Sequence, residues 1–415
     1  MKQEKRTTQT YWVGIDWGKF NHAVCVVDMH RTIVREFTIP ATLEGFAFLG
    51  ETLRNLGHIG GVAIESTHNP VLYRVLDEGH AVYPINPKLS KQWREGMSVA
   101  GVKSDMHDGR VLAFELARRH EQLRCLRPTN PFATELLGLC KKQRVLINQR
   151  TALVQQMRES LGVYYPAALD FFSDLTHPTA WAFVKRFPNP QSLSSARKDT
   201  LLRFLRAHQI GLKPTWLERI EQRQQACEWP TPPDALAEEA LVLACIAQLQ
   251  AVQAHIDRFD HIIAERTRSL PQAKLIRSLP GAGPRLTPAL TAMAICAEVE
   301  GQGVAALRCL TGIAPVKEES GKRIRTRIRR RCNKHWRNIM HLFAWSSTNF
   351  CRWAKVFYNL CKQRGDSNAT ALRKLADKWL RIINTMLQTG QTYDDARYLE
   401  SLRHNHSPLW PYLCG

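Results

Sequence analysis

The sequence is short of acid, of paired cysteines and of long apolar runs. Asp and Glu number 37 against 58 Lys and Arg in 415 residues, leaving a formal charge of +21 at neutral pH. A deficit of that size points to a polyanionic partner. Nucleic acid is the commonest, ribosomal or membrane-surface association is the alternative, and composition does not choose between them. No window approaches the roughly 18 apolar residues of a membrane span, and the opening MKQEKRTTQT lacks the apolar core of a signal peptide. The expectation is a soluble, cytoplasmic protein with no membrane partner. The 11 cysteines are scattered and none stands in a Cys-x-x-Cys pair, which excludes a dense disulfide framework and a compact zinc motif. Reduced core thiols are the plain reading, with a zinc built from distant ligands as the lesser alternative. No repeat or low-complexity tract is present, and a hydrophobic content of 44% excludes wholesale disorder. At roughly 100–200 residues per domain, the chain holds two to four domains.

The first part reads as α/β. YWVGID (11–16), HAVCVVDM (22–29) and TIVREFTIP (32–40) are β-rich runs separated by short polar breaks, as in a meander. Leu43, Phe46, Phe48, Leu49 and Leu53 follow at helical spacing with Gly57 as the stop. GVAIES (61–66) is a buried-strand run, then come a helix near 70–79, the strand AVYPIN (81–86), and a helix starting at or just after Lys103-Ser104-Asp105. Three strands, helix, strand, helix, strand, helix is the order of the ribonuclease-H-like fold. From Pro131 to about Val163, and again from about Pro233 to Ser269, the pattern is helical with few breakers. Two such helices around a proline-rich insert, 164–233, suit an antiparallel coiled-coil hairpin or a stalk that dimerises, and ordinary bundle helices equally. Helix, Gly-Pro turn and helix follow at 275–294, then a densely basic segment at 317–337 and further helix to 388. The expected division is 10–125, 131–270 with its insert at 164–233, 271–392, and a tail at 393–415.

Three constellations could carry chemistry. Asp16 ends the first strand and Glu65 the strand VAIES, while Asp105 and Asp108 are spaced to share one helical face. Carboxylates at the ends of α/β elements can converge, and hard divalent cations relieve their repulsion; two Mg²⁺ ions can then serve phosphodiester cleavage. Singly, each acid is more simply a turn former or a helix cap; the ordered set reverses that preference. Between Lys322 and Arg331, seven of ten residues are basic: Lys322, Arg323, Arg325, Arg327, Arg329, Arg330 and Arg331. Extended, this stretch puts much of its charge on one face, which suits a phosphate backbone, although a solvated face is the ordinary reading of a charge run. Ser320, before Gly321, sits at the edge of this field, where guanidiniums could aim it as a nucleophile; alone, Ser-Gly reads as a turn. In SLPGAGPRLTPAL, Gly281 and Gly283 stand between helices, as in a phosphate-holding helix-hairpin-helix or a tight interhelical turn.

GIDWGKFNHAV, AIESTHNPVLYRVLDEGH, NPKLSKQWREG, KSDMHDGRVLA, SLPGAGPRLTPAL and LTGIAPVKEESGKR together resemble, in order, the DEDD insertion-sequence transposases, the bridge-RNA-guided serine recombinases of bacterial mobile elements. The resemblance covers roughly 10–120 and 270–390, with the long helices as connector. It implies a RuvC-like domain whose Asp16, Glu65, Asp105 and Asp108 bind Mg²⁺, a long helical connector, and a mainly helical C-terminal domain whose Ser320 is the nucleophile. It further implies donor and target DNA, a structured non-coding bridge RNA that pairs with both, and a dimer or tetramer whose protomers share the acids and the serine. Such delegation leaves the protein to read backbone and shape. The chain departs from the usual pattern at His68-Asn69, at Gly109 and at Cys332. Two other readings stand beside this one: a RuvC-like metal-dependent nuclease in which Ser320 is structural, and a non-catalytic nucleic-acid-binding protein whose acids are caps.

Overall fold

The computed structural model describes residues 9–65, 69–97, 104–123, 125–126, 130–172, 174–211, 214–222, 225, 228–299, 303–320, 323–330 and 332–414. Of the positions singled out above, His68, Lys103, Gly321, Lys322 and Arg331 lie outside them. The chain divides into two units, Met1–Thr129 and Asn130–Gly415.

In the first unit, alternating apolar residues build three antiparallel strands, β1 (Thr10–Trp17), β2 (Asn21–Val27) and β3 (Ile33–Pro40). Helix α1 (Leu43–Leu56) starts on the Thr42 hydroxyl, which accepts from the Gly45 N–H, and stops at Gly57, whose φ is 99°. Then follow β4 (His58–Ile64), α2 (Pro70–Asp77), β5 (Val82–Pro84), α3 (Pro87–Met97) and α4 (Asp105–Arg119). The sheet order is β3-β2-β1-β4-β5, with β1, β4 and β5 parallel. This is the expected α/β arrangement of ribonuclease-H-like order with one addition, since α3 is not among the elements read from the sequence. The period of two along the strands sorts the core into two layers. Val13, Ile15, Val62 and Ile64 pack with Leu49, Leu53 and Leu72 on one face. Trp12 and Ala63 pack with Trp93, Val111, Leu112 and Leu116 on the other.

The second unit is built on two 34-residue helices, α5 (Pro131–Tyr164) and, after α6 (Ala167–Phe171), α7 (Pro178–Arg186), α8 (Pro190–Ser194), α9 (Lys198–Ala207) and α10 (Pro214–Glu221), the helix α11 (Ala235–Arg268). They run antiparallel: Glu135 meets Arg266, Gln143 meets Asp260, Arg150 meets Gln253, and Gln156 meets Cys245. The short helices of the insert close a core of their own at one end, where Trp181, Phe183 and Phe187 join Met157, Leu161, Ile246 and Leu249. One expectation needs correction. Helix α11 does hold an 18-residue window apolar enough, by length and composition, to cross a membrane. Its Val242, Cys245, Ile246, Leu249, Ile256 and Ile263 are buried.

At the other end of the pair lie α12 (Pro271–Arg277), α13 (Leu286–Val299), α14 (Val304–Leu310), the hairpin β6 (Val316–Ser320) and β7 (Arg323–Arg327), then α15 (Lys334–Phe350), α16 (Arg352–Gln363), α17 (Asn368–Thr389) and α18 (Asp395–His404). Their core centres on Phe343, Trp353, Trp379 and Ile383. Residues 393–415, read from the sequence as a tail, contribute Leu402, Leu409 and Leu413 to it. The described cysteines form no disulfide among themselves, and most are buried.

Candidate functional site

Backbone register explains why acids far apart in sequence approach one another. Ile15 pairs with Ile64 across the parallel strands β1 and β4, so the next residues, Asp16 and Glu65, emerge side by side at the carboxyl ends of two neighbours. Asp16 shares its strand face with Gly14, and Glu65 shares its face with Ala63, on the side that α4 covers. Gly14 is where α4 comes closest: a Cβ there would lie 2.1 Å from the Gly109 carbonyl oxygen and 2.4 Å from the Ala113 nitrogen. Helix α4 begins on the Ser104 hydroxyl, which accepts from the His107 N–H at 3.2 Å, and so its first turn, with Asp105 and Asp108, is set down beside Asp16. Gly109 is thus part of a close helix-on-strand contact, with its own Cβ position 3.3 Å from the Ala23 carbonyl oxygen.

The four acids share one field. Burial, then Asp108, Asp105 and Glu65, push the Asp16 carboxyl up to about 7, with Arg94 acting in the opposite sense. Asp105 is exposed, Asp16 and Glu65 are half-buried, and Asp108 is buried. Two side chains of α3 complete the surroundings. The Arg94 guanidinium donates to Asp108 Oδ2 and forms an ion pair with it. The Ser90 hydroxyl donates to Glu65 Oε2. Asp108 Oδ1 is buried and accepts from no donor among the described residues. Nor, among those residues, do three His, Cys, Asp or Glu side chains close around a single point. The array is open, anionic and of hard oxygen, with one buried oxygen unmatched, and that donor set fits a divalent cation of the Mg²⁺ class.

Ser90 and Arg94 were missed in the sequence because α3 was. The helix carries only two buried residues, Ser90 and Trp93, amid Lys88, Lys91, Gln92 and Glu95. A signal was present nonetheless: Asn86-Pro87 is a helix start, and the Asn86 side chain accepts from the Lys88 N–H at 2.9 Å.

The remaining candidates belong to the second unit. Ser320 is the last residue of β6 and pairs with Arg323, the first of β7, with two residues between them. Arg323, Arg325 and Arg327 take alternate positions along β7, so this stretch is extended as its pattern suggested. Arg329 donates to the Ala314 carbonyl, Arg330 is exposed, and Asn333 caps α15 by accepting from the His335 and Trp336 N–H groups. Gly281 has a φ of 84°, and its carbonyl accepts from the Ser346 hydroxyl at 2.9 Å; a Cβ there would sit 2.9 Å from the Ser346 backbone. Gly283 has open space, and its carbonyl accepts from the Leu286 and Thr287 N–H groups at the start of α13. The first of these glycines is therefore required by its φ and by packing on α15; at the second a side chain would meet nothing.

Comparisons with known proteins agree along the chain. Residues 13–166 match the DEDD transposase family model of IS110 type, and residues 273–359 match that of the transposase IS116/IS110/IS902 family. A mini-circle putative transposase for IS117 from Streptomyces coelicolor is 28% identical over 94% of this chain and 96% of its own length. An uncharacterized 42 kDa protein of the insertion element IS900 from Mycobacterium paratuberculosis is 26% identical over 94% and 98%. One of 44.8 kDa from the insertion element IS116 of Streptomyces clavuligerus is 24% identical over 93% and 96%. In order along the chain, then, stand matches to two transposase family models, one of DEDD IS110 type and one of the IS116/IS110/IS902 family.

Proposed function

We propose that this protein is an insertion-sequence transposase that cuts and rejoins DNA through a transient ester between a DNA phosphate and Ser320, directed by a structured bridge RNA. The observation that carries the reading is the field that Glu65, Asp105 and Asp108 put on Asp16, which with burial pushes it up to about 7, beside an Asp108 Oδ1 that is buried without a donor among the described residues. These four residues would hold Mg²⁺. When bound, the ion supplies positive charge to phosphate oxygens and to the oxygens that enter and leave phosphorus. The chain does the positioning. Ser90 holds the Glu65 carboxylate, Arg94 orients Asp108, and the Gly14 contact fixes α4 against β1.

In the first transfer the Ser320 hydroxyl loses its proton, its oxygen bonds to a DNA phosphorus, and the bond from phosphorus to one deoxyribose oxygen breaks. That oxygen leaves as a hydroxyl once protonated. In the second transfer a hydroxyl of the recipient strand bonds to phosphorus, the bond to Ser320 breaks, and the serine regains a proton. One diester replaces another, so no outside energy source is needed. The extended arginines of β7 suit the phosphate that Ser320 attacks. The net charge of +21 fits contact with backbone more than with bases, leaving sequence choice to pairing by the RNA. In this reading the chain acts as a dimer or tetramer, with α5 and α11 as the connector and with acids and serine contributed by different protomers.

The test expresses the protein with its native flanking non-coding DNA and looks for SDS-resistant protein–DNA adducts, wild type beside Ser320→Ala. An adduct lost in the variant supports the serine mechanism. Cleavage without adduct, indifferent to the substitution, leaves a metal-dependent nuclease. Binding with neither cleavage nor adduct leaves a nucleic-acid-binding protein.

A further inference from the structure

Beneath the base of the β6–β7 hairpin the second unit holds a cleft of about 480 Å³ that none of the assignments above uses. Its wall carries Arg308, Arg373, Lys374, Lys378 and Arg381 against the single acid Asp377. Four of the cations come from α17, where residues 373, 374, 378 and 381 fall on one side of the helix. Asp377 is already engaged twice, by Arg308 and by Arg381. Lys374 is paired with Asp366 at 2.6 Å. Arg373 and Lys378 form no ion pair among the described residues, although the Asp377 carboxylate is near enough to act on Lys378. The Lys378 ammonium instead lies over the Phe357 ring, 4.9 Å from its centroid. Burial and the neighbouring Arg381 hold that amine below the ordinary lysine range. A half-buried cation facing a cleft whose one carboxylate is already shared by two arginines costs free energy that an incoming anion would recover.

The cleft's position narrows what the anion is. Pro315 and Thr326 belong to its lining, and Thr326 pairs with Lys317, three residues before Ser320. At about 3.3 Å per residue, the cleft opens about 10 Å along the strand from the serine. That is about three base steps of duplex, each carrying a phosphate per strand at about 3.4 Å of axis. We propose that this cleft is a phosphodiester-backbone site for the DNA strand that Ser320 attacks, with Arg373 and Lys378 as its principal contacts. The proposal rests on the serine reading for which strand is bound, and on the cleft alone for the binding itself.

The test measures affinity of the full chain for a duplex DNA and, separately, for a structured RNA of equal length, across a salt series. The variant is Arg373→Gln/Lys378→Gln. Its controls are the charge-keeping Arg373→Lys/Lys378→Arg and a charge-matched Lys185→Gln/Arg206→Gln on the exposed face of the insert. Loss of two phosphate contacts should lower the DNA salt slope by about 1.8. The charge-keeping variant should retain the wild-type slope, and the insert variant should leave it unchanged. An unchanged DNA slope in Arg373→Gln/Lys378→Gln overturns the proposal, as does an equal loss in the insert variant or a loss confined to RNA. Serine adduct formation is scored on the same proteins. Reduced DNA slope with no adduct even in wild type would leave the cleft standing and remove the serine reading. A normal adduct with an unchanged slope would do the reverse.

Discussion

Asp16 concentrates the electrostatics of the acidic array in one titration. Its carboxyl moves from the ordinary 3.8 up to about 7 in the folded chain. Between about pH 4 and 7 the folded protein therefore keeps a proton that the unfolded chain has released, so metal-free stability falls as pH rises through that window. In protein stripped of divalent ions, the melting temperature should drop more steeply from pH 5 to pH 7.5 in wild type than in Asp16→Asn, and added Mg²⁺ should reduce that drop in wild type. Parallel curves for the two proteins would remove the shared field. The acids themselves were legible before any coordinates, because each stands where a strand ends or a helix begins. Arg94 and Ser90 were not, since their chemistry shows only once the helix that carries them is recognised.

Among the elements, the contact between β1 and α4 decides whether there is an array at all. Gly14→Ala would place a methyl 2.1 Å from the Gly109 carbonyl oxygen, in backbone that cannot move aside without lifting α4. The expected cost is about 1–3 kcal/mol of stability, as for overpacked cores, with weaker Mg²⁺ binding because Asp105 and Asp108 leave with the helix. Gly109→Ala is the contrast. Its Cβ at 3.3 Å from Ala23 needs only a small adjustment, and alanine in a helix gains up to about 1 kcal/mol over glycine. Thermal melts and calorimetric Mg²⁺ titration of the two variants should diverge in that order; equal behaviour would mean the contact is not what sets the acids. Strands and long helices could be read from period alone, and all eight helix and strand elements expected before residue 120 lie within a few residues of their places. The short helix α3 could not, because two buried residues in eleven leave too weak a period. The hairpin was legible only as an extended basic stretch, since pairing partners are not written in either strand alone.

Across the whole molecule, the proposed binding and the proposed chemistry rest on different residues, and substitutions should separate them. Asp105 is exposed at the start of α4 and supports no core, so Asp105→Ala should fold normally. Strand exchange should fall below detection in that variant while affinity for nucleic acid stays within about twofold, because a charge surplus of +21 barely changes. Retained exchange, measured on the same DNA, would take the acids out of the mechanism. The antiparallel pair α5 and α11 carries a consequence of another kind. Each helix has 34 residues, about 50 Å of rigid length, and each is clamped into a separate core at either end. Such a pair is a lever: a tilt of about 5° where it leaves the Phe343–Trp379 core swings the insert core through about 4 Å. Small repacking around Ala133, Leu136 and Ile263 is therefore read out, magnified, at Trp181 and Phe183.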